Sequence, residues 1–266
     1  MSAEKKGNMY SDSIFQWNVC VGCNFFCEYC KKSFQAQMKR QMPKFDENGV
    51  QYRGCQKCYD YEPHFHEERL DINFNKKKYE TSGDTFIWAI SSGDIACMNP
   101  EWIQQIINKI KEYPHRTFFM QTKDPSCFYQ YTFPENMLLG ITLETDQYHS
   151  KITNAPNPFF RYITFADLPF PRKVVTIEPI MDFDFYRFLA WIRIIGPERV
   201  YIGYDTKKCN LREPSLRKTL RFISELKKYT KVKTKFLKKY HHQSGITQQW
   251  SKHKSLGEEA TASPDD

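Results

Sequence analysis

The sequence predicts an α/β fold, an open six-unit (β/α) partial TIM barrel, and three observations carry that prediction. From Thr85 onward, short runs of β-branched and aromatic residues alternate with helical patterns, which is how βαβ units and a parallel sheet read in a sequence. The units number about six, fewer than a closed eightfold barrel needs. A cysteine-rich loop follows the first candidate strand at its C-terminal end, where parallel barrels carry their active-site loops.

In chain order, Ser13 to Val19 is the first strand and delivers that loop. Residues 31–80 form a long insertion before the second strand, with a helix-like segment near Lys32 to Gln41; insertions of this length carry function or disorder. The later strands are Thr85 to Ile90, Thr117 to Thr122, Leu138 to Leu143, Val174 to Ile177, Val200 to Gly203 and Val232 to Leu237. Asn99-Pro100 reads as a helix cap with proline at the first helical position, and Ile103, Ile106, Ile107 and Ile110 then recur on one face. Asp184 caps a helix carrying Leu189, Ile192 and Ile195, which Gly196-Pro197 ends. Another starts at Pro214, with Leu216, Leu220, Ile223 and Leu226 facing inward and Arg217, Lys218, Arg221 and Lys228 outward. Residues 1–240 are thus expected to form one barrel with its insertion, and residues 241–266, rich in Gln, Ser, Thr and Glu, a disordered tail.

At 266 residues, 16% of them aromatic, the chain is long enough to bury a substantial core. No stretch approaches the roughly 20 apolar residues of a bilayer span, and the first ten residues lack a hydrophobic signal region, so a soluble protein with no membrane partner is expected. Nine cysteines in short spacings suit metal ligation in a reducing, cytoplasmic compartment better than a disulfide framework. Cys127 and Cys209 stand apart and read as small packed residues. The net charge of +8 is regional, since Lys207 to Lys254 carries +13 and the rest of the chain −5. A DNA or nucleotide partner held by phosphate attraction is one reading of residues 207–254; a solvated helix face with a charged tail is the other.

The densest chemical signal is Cys23-Asn24-Phe25-Phe26-Cys27-Glu28-Tyr29-Cys30. This CxxxCxxC spacing offers three thiolates to a four-iron cluster and leaves one iron open, whereas electron carriers usually supply four cysteines. A zinc ribbon pairing Cys20-x-x-Cys23 with Cys55-x-x-Cys58 is the competing reading, and it would make the chain a non-catalytic nucleic-acid-binding module while leaving Cys27 and Cys30 without a role. Cys55, Cys58, His64 and His66, with Cys20 available to complete the set, are suitable ligands for a second metal, zinc or iron–sulfur.

Strand ends add further candidates. Ser91-Ser92-Gly93-Asp94 follows the second strand; glycine permits close backbone approach and Asp94 can accept from an ammonium, or the four form an ordinary turn. Lys123, after the third strand, is a point charge at the same rim. Glu144 and Glu178 close the next two strands on the expected active face, as substrate or ribose contacts or as rim ion pairs, with Tyr204-Asp205 a weaker candidate. Cys97, just past Asp94, is either a hydrogen-atom donor or a small buried residue.

The cysteine spacing resembles the signature of the radical S-adenosylmethionine (SAM) superfamily. Trp17-Asn18, Thr122-Lys123, Ile177-Glu178-Pro179 and Tyr201-Ile202-Gly203 are similar, in order, to elements of spore photoproduct lyase-like radical SAM proteins of phage. The resemblance covers about Phe15 to Lys239 and implies the partial barrel of radical SAM type. It implies a [4Fe–4S] cluster on Cys23, Cys27 and Cys30, with Cys20 outside it, and SAM chelated to the open iron. Tyr29 would lie beside the adenine, Ser91, Ser92, Gly93 and Asp94 would hold the amino group, and Lys123 the carboxylate. The activity implied is cleavage of SAM to a 5′-deoxyadenosyl radical with an external electron donor. Its specific form would be isomerisation of a modified thymine in DNA, such as glycyl-thymidine in phage genome hypermodification, in the host cytoplasm. A peptide or small metabolite is the alternative substrate. Neither Cys20 nor the segment from Cys55 to His66 belongs to the superfamily's core motif.

Overall fold

The computed structural model describes residues 10–238; the expected tail at 241–266 and the end of the basic region lie outside the described residues. Seven strands, β1 (Ser13–Trp17), β2 (Phe86–Ala89), β3 (Phe118–Thr122), β4 (Met137–Thr142), β5 (Lys173–Ile177), β6 (Arg199–Gly203) and β7 (Lys231–Lys235), hydrogen-bond in chain order. Every pairing in this sheet is parallel, and the sheet curls into a half-barrel. Six crossovers join the strands. Four of them carry the helices α1 (Pro100–Lys111), α2 (Pro158–Asp167), α3 (Phe185–Ile195) and α4 (Leu216–Leu226).

Strands β4 to β6 are buried along their whole length, which is why they read as continuous apolar runs rather than alternating ones. Helix α1 forms as its spacing predicts: the Asn99 side chain accepts from the Glu101 N–H, and Ile103, Ile106, Ile107 and Ile110 are all buried. Asn157-Pro158 starts α2 with the same device. In α3 the Asp184 carboxylate caps the Arg187 N–H, and Gly196 ends the helix in the left-handed conformation.

Helix α4 begins at Leu216, capped by Ser215, and is rotated from the expected face. Thr219, Phe222, Ile223 and Leu226 are buried, while Leu220 is exposed. The reason is aromatic packing: Phe222 stacks on Phe188 of α3 with ring centroids 5.4 Å apart and also meets Phe183, which favours the large ring inside over Leu220. Cys127 is buried, as expected of a small packed residue. Within the insertion, the helix-like stretch is a short helix at Phe34–Met38 followed by a turn at Lys39–Gln41, then a small hairpin of Lys44–Phe45 and Gln51–Arg53.

Inside the half-barrel, Phe86, Trp88, Phe119, Leu138, Val174 and Tyr201 surround Tyr10, which is fully buried. The Tyr10 ring meets Phe86, Trp88, Phe119 and Tyr201 edge-on, and its hydroxyl bonds Gln121 and lies 2.7 Å from the Thr176 hydroxyl. Gly140 makes room for the Phe119 ring, which a Cβ at that position would overlap. Tyr10 therefore plugs the lumen from below.

Beneath it, Lys233 pairs with Asp12 at 2.8 Å and Asp84 at 3.1 Å, Lys231 with Asp84 at 2.9 Å, and the Tyr201 hydroxyl donates to Asp12. Higher on the same strand, Lys235 lies 3.7 Å from Glu178. Lys231, Lys233 and Lys235 alternate along β7, so one face of the last strand carries all three inward. Among the described residues, no helix is long and apolar enough to cross a membrane.

Candidate functional site

Above the Tyr10 plug, at the C-terminal ends of the strands, the half-barrel holds a cavity of about 420 Å³. Cys23, Cys27 and Cys30 all line it, as do Tyr29, Ser91, Gly93, Asp94, Lys123 and Glu178. Four chain segments separated by up to about 150 residues in sequence thus converge on one space. Ser92, Glu144 and Cys97 do not reach its wall.

The cysteine loop is held from both sides. Cys20–Val21 pairs antiparallel with His64–Phe65, and the Cys23 N–H donates to the Tyr61 carbonyl. Gly22, at φ +106°, lies so close to the Glu62 carbonyl that a side chain would not fit. On the far side the Glu28 N–H donates to the Ile152 carbonyl at 2.9 Å and the Asn154 N–H to the Phe25 carbonyl at 2.8 Å. The Thr153 hydroxyl lies 3.1 Å from the Cys27 sulfur, and the Tyr61 hydroxyl 3.9 Å from that of Cys30. Neither Thr153 nor Tyr61 carries a local signal in the sequence.

All nine cysteines are free thiols. The Cys23 thiol is pushed well up, first by its hydrogen bond with Cys97 and then by burial; Cys30 is raised by burial and by Cys27. Crowded, buried thiols of this kind become thiolates when a cation shares the site. Cys97 sits with its sulfur 4.0 Å from that of Cys23 and accepts from the Asn24 N–H.

Asn18 organises the β2 end: its Oδ1 accepts from the Ser91 hydroxyl and the Ser92 N–H, each at 2.8 Å. Asp94 accepts from the Thr122 hydroxyl at 2.6 Å, the Lys123 N–H at 2.9 Å and the Ala96 N–H at 3.1 Å. It therefore braces the β2 turn against β3 while one edge of it faces the cavity. Burial raises its pKa, opposed by the Thr122 bond and the Lys123 charge.

Glu144 has a different setting. Its carboxylate takes Arg161 at 2.9 Å, Lys123 at 3.5 Å and the Tyr29 hydroxyl. Burial alone would raise its pKa, but Arg161 and Lys123 outweigh that and hold it down to about 2. Of the two roles expected for Glu144, the structure builds the ion pair, and it fixes Tyr29 and Lys123 from behind. Burial would lower Lys123, yet Glu144, Cys27 and Asp94 keep it raised and charged. Glu178 does face the cavity; one of its oxygens is buried with no hydrogen-bond partner, and burial raises its pKa against the opposing charge of Lys235. Tyr204 and Asp205 also line the cavity.

A second group lies beside the loop. The ligand atoms of Cys55, Cys58, His64 and His66 all fall within 4.8 Å of one another, a set able to bind a metal ion. Cys20 is outside that group, buried in the main core instead.

Fold and site together define a class: a parallel α/β half-barrel, plugged at one end, with a cysteine loop over its open end and a Cys/His group able to hold a metal ion behind that loop. The chain belongs to the family described as Protein of unknown function (DUF5131), which matches residues 10–182 and so spans Tyr10, the cysteine loop, the Cys/His group and the strand ends through Glu178. No curated protein and no solved structure matches it.

Proposed function

We propose that the protein is a radical SAM enzyme that isomerises a modified thymine base in DNA. The observation that carries the enzyme reading is the meeting of Cys23, Cys27 and Cys30 as free thiols on the wall of a cavity closed from below. Three thiols on a loop suit a [4Fe–4S] cluster with one iron open to the lumen. When bound, that cluster and SAM supply a 5′-deoxyadenosyl radical able to abstract hydrogen from a substrate carbon. The chain's own part is confinement and orientation. Tyr29, anchored by Glu144, offers an aromatic face at the cavity wall, and Lys123, kept charged, offers a cation for a carboxylate. The backbone at Ser91 and Gly93 and the partly engaged Asp94 suit an amino group. The Tyr10 plug keeps water from entering through the floor. The unpartnered oxygen of Glu178 is suited to a hydroxyl or amide N–H.

For the nucleic-acid substrate, support comes from the hairpin that follows the cavity-lining helix Phe34–Met38. Phe45 and Tyr52 are 57% and 66% exposed there, among the exposed cations Lys44 and Arg53. Exposed rings among cations suit stacking of an unpaired base. Against it, seven basic residues between 207 and 238 form ion pairs within the chain, among them Lys218 with Asp182 and Lys238 with Glu213, which favours the second reading, a radical SAM enzyme acting on a peptide or small metabolite.

The test is anaerobic incubation with SAM and reductant, measuring 5′-deoxyadenosine for wild type and Cys27→Ala. Product lost in the variant supports the enzyme reading, and equal product refutes it. DNA affinity that weakens as salt rises supports the nucleic-acid substrate, while no binding at low salt leaves the small-substrate reading.

A further inference from the structure

We infer that Cys55, Cys58, His64 and His66 bind one structural zinc ion, and that this ion clamps the cysteine loop from behind. A tetrahedral site with Zn–S of about 2.3 Å and Zn–N of about 2.05 Å needs S···N near 3.6 Å and N···N near 3.3 Å. The Cys55 sulfur lies 3.5 Å from His64 Nε2, the Cys58 sulfur lies 3.3 Å and 3.1 Å from His64 and His66 Nε2, and the two Nε2 atoms are 2.9 Å apart. Each separation is within about half an ångström of the zinc geometry.

Hydrogen bonding on the outer side of the rings points the same way. His64 Nδ1 lies 2.7 Å from the Glu62 carbonyl and His66 Nδ1 3.0 Å from a Glu68 carboxylate oxygen. Both partners are acceptors, so each Nδ1 carries the proton and each Nε2 presents a lone pair. Two lone pairs and two thiols then face one point, an arrangement that a divalent cation satisfies, and an acceptor on the far ring nitrogen is usual for metal-bound histidine.

The geometry also selects the metal. A two-iron cluster with a mixed ligand set puts its cysteines on one iron and its histidines on the other. Here Cys58 is in contact with both imidazoles, which requires a single ion. Two thiolates, two imidazoles and no vacant position describe a structural rather than a catalytic zinc.

What the ion would hold is the cysteine loop. His64–Phe65 is the strand paired with Cys20–Val21, the His66 N–H donates to the Val19 carbonyl at 2.8 Å, and Tyr61, between the two ligand pairs, contacts both Cys23 and Cys30. The segment otherwise has a small core, formed by Val21, Cys58 and Tyr61. Ligation would supply the order that such limited burial cannot. The clamp role rests on the cysteine triad being a metal site; the zinc assignment does not.

The experiment measures zinc and iron by mass spectrometry in the full chain, purified anaerobically. Wild type and a Cys23→Ser/Cys27→Ser/Cys30→Ser variant are each expected to hold one zinc per chain. Cys58→Ala and His66→Ala are expected to lose it, with at least a tenfold fall in zinc content. Zinc absent from the triple variant, or retained by Cys58→Ala, overturns the assignment. Cobalt(II) substitution of the triple variant guards against misfolding of the single variants: a tetrahedral spectrum with sulfur charge-transfer bands is expected, and an octahedral one refutes the site. For the clamp, the His66→Ala chain should take up less iron on reconstitution than wild type; equal uptake refutes the clamp and leaves the zinc count standing on its own.

Discussion

Replacing Glu144 with alanine removes the buried anion that holds Arg161, Lys123 and the Tyr29 hydroxyl together. Arg161 is only 1% exposed, so it is left as an uncompensated buried charge, a change that costs about 3–5 kcal/mol. The depressed pKa of Glu144 leads to a similar figure. A carboxyl held from 4.5 down to about 2 is worth about 3 kcal/mol at neutral pH. Because the folded-state value is depressed, this stability is present in full above 4.5 and is lost as pH falls from there toward about 2. Glu144→Ala should therefore lower the unfolding free energy by about 3–5 kcal/mol at pH 7 and by less than half of that near pH 3. Guanidinium titrations followed by tryptophan fluorescence at the two pH values measure both numbers. A loss below about 1 kcal/mol at pH 7, or the same loss at both pH values, would refute the reasoning. The double change Glu144→Gln/Arg161→Met, which removes both charges, should recover more than half of the loss.

Three further outcomes follow from the lumen and the β2 turn. Gly140→Ala should cost about 1–3 kcal/mol by forcing a Cβ into the Phe119 ring, seen as a lower denaturation midpoint at unchanged slope; a neutral effect means the ring has room to move. Tyr10→Phe should cost about 1–2 kcal/mol for the lost bonds to Gln121 and Thr176, and Tyr10→Ala about 3–5 kcal/mol; equal values for the two would show that the ring does not fill the lumen. Asp94→Asn leaves the Lys123 N–H, the Ala96 N–H and the Thr122 hydroxyl with a weaker acceptor, so stability should fall by about 1–3 kcal/mol and amide exchange should quicken at residues 92–97. Unchanged exchange there would remove the brace from the account.

The parallel sheet was legible because each of its inner strands is a short apolar run between polar turns, and α1 because four isoleucines repeat on one face. Helix α2 escaped for an instructive reason. Its Asn157-Pro158 cap matches that of α1, but exposed Phe159 and Phe160 follow it and blur the apolar stripe. At the site, the ligand spacings were readable because they are local. Thr153 and Arg161 were not, since their partners lie 126 and 17 residues away in the chain, and Asn18, though singled out beside Trp17, gave no sign of its partner 73 residues on; only folding brings these groups near. Arg161 did leave a trace, as a lone cation inside the aromatic helix Pro158–Asp167. Cys55, Cys58, His64 and His66 come together as their local spacing suggests, while Cys20, expected to complete that set, packs in the main core instead.

The inward lysines of β7 determine more than the floor of the lumen. Hydrophobic alternation normally fixes how a strand aligns, but Lys231–Lys235 offers only Val232 as an apolar anchor. Sliding the strand by one residue would turn Lys231, Lys233 and Lys235 away from Asp84, Asp12 and Glu178 together, breaking four ion pairs in one step. The alignment of the final strand is thus encoded in charge, and substitutions that neutralise Asp12 and Asp84 would be felt as a loss of strand registry along the whole edge of the sheet.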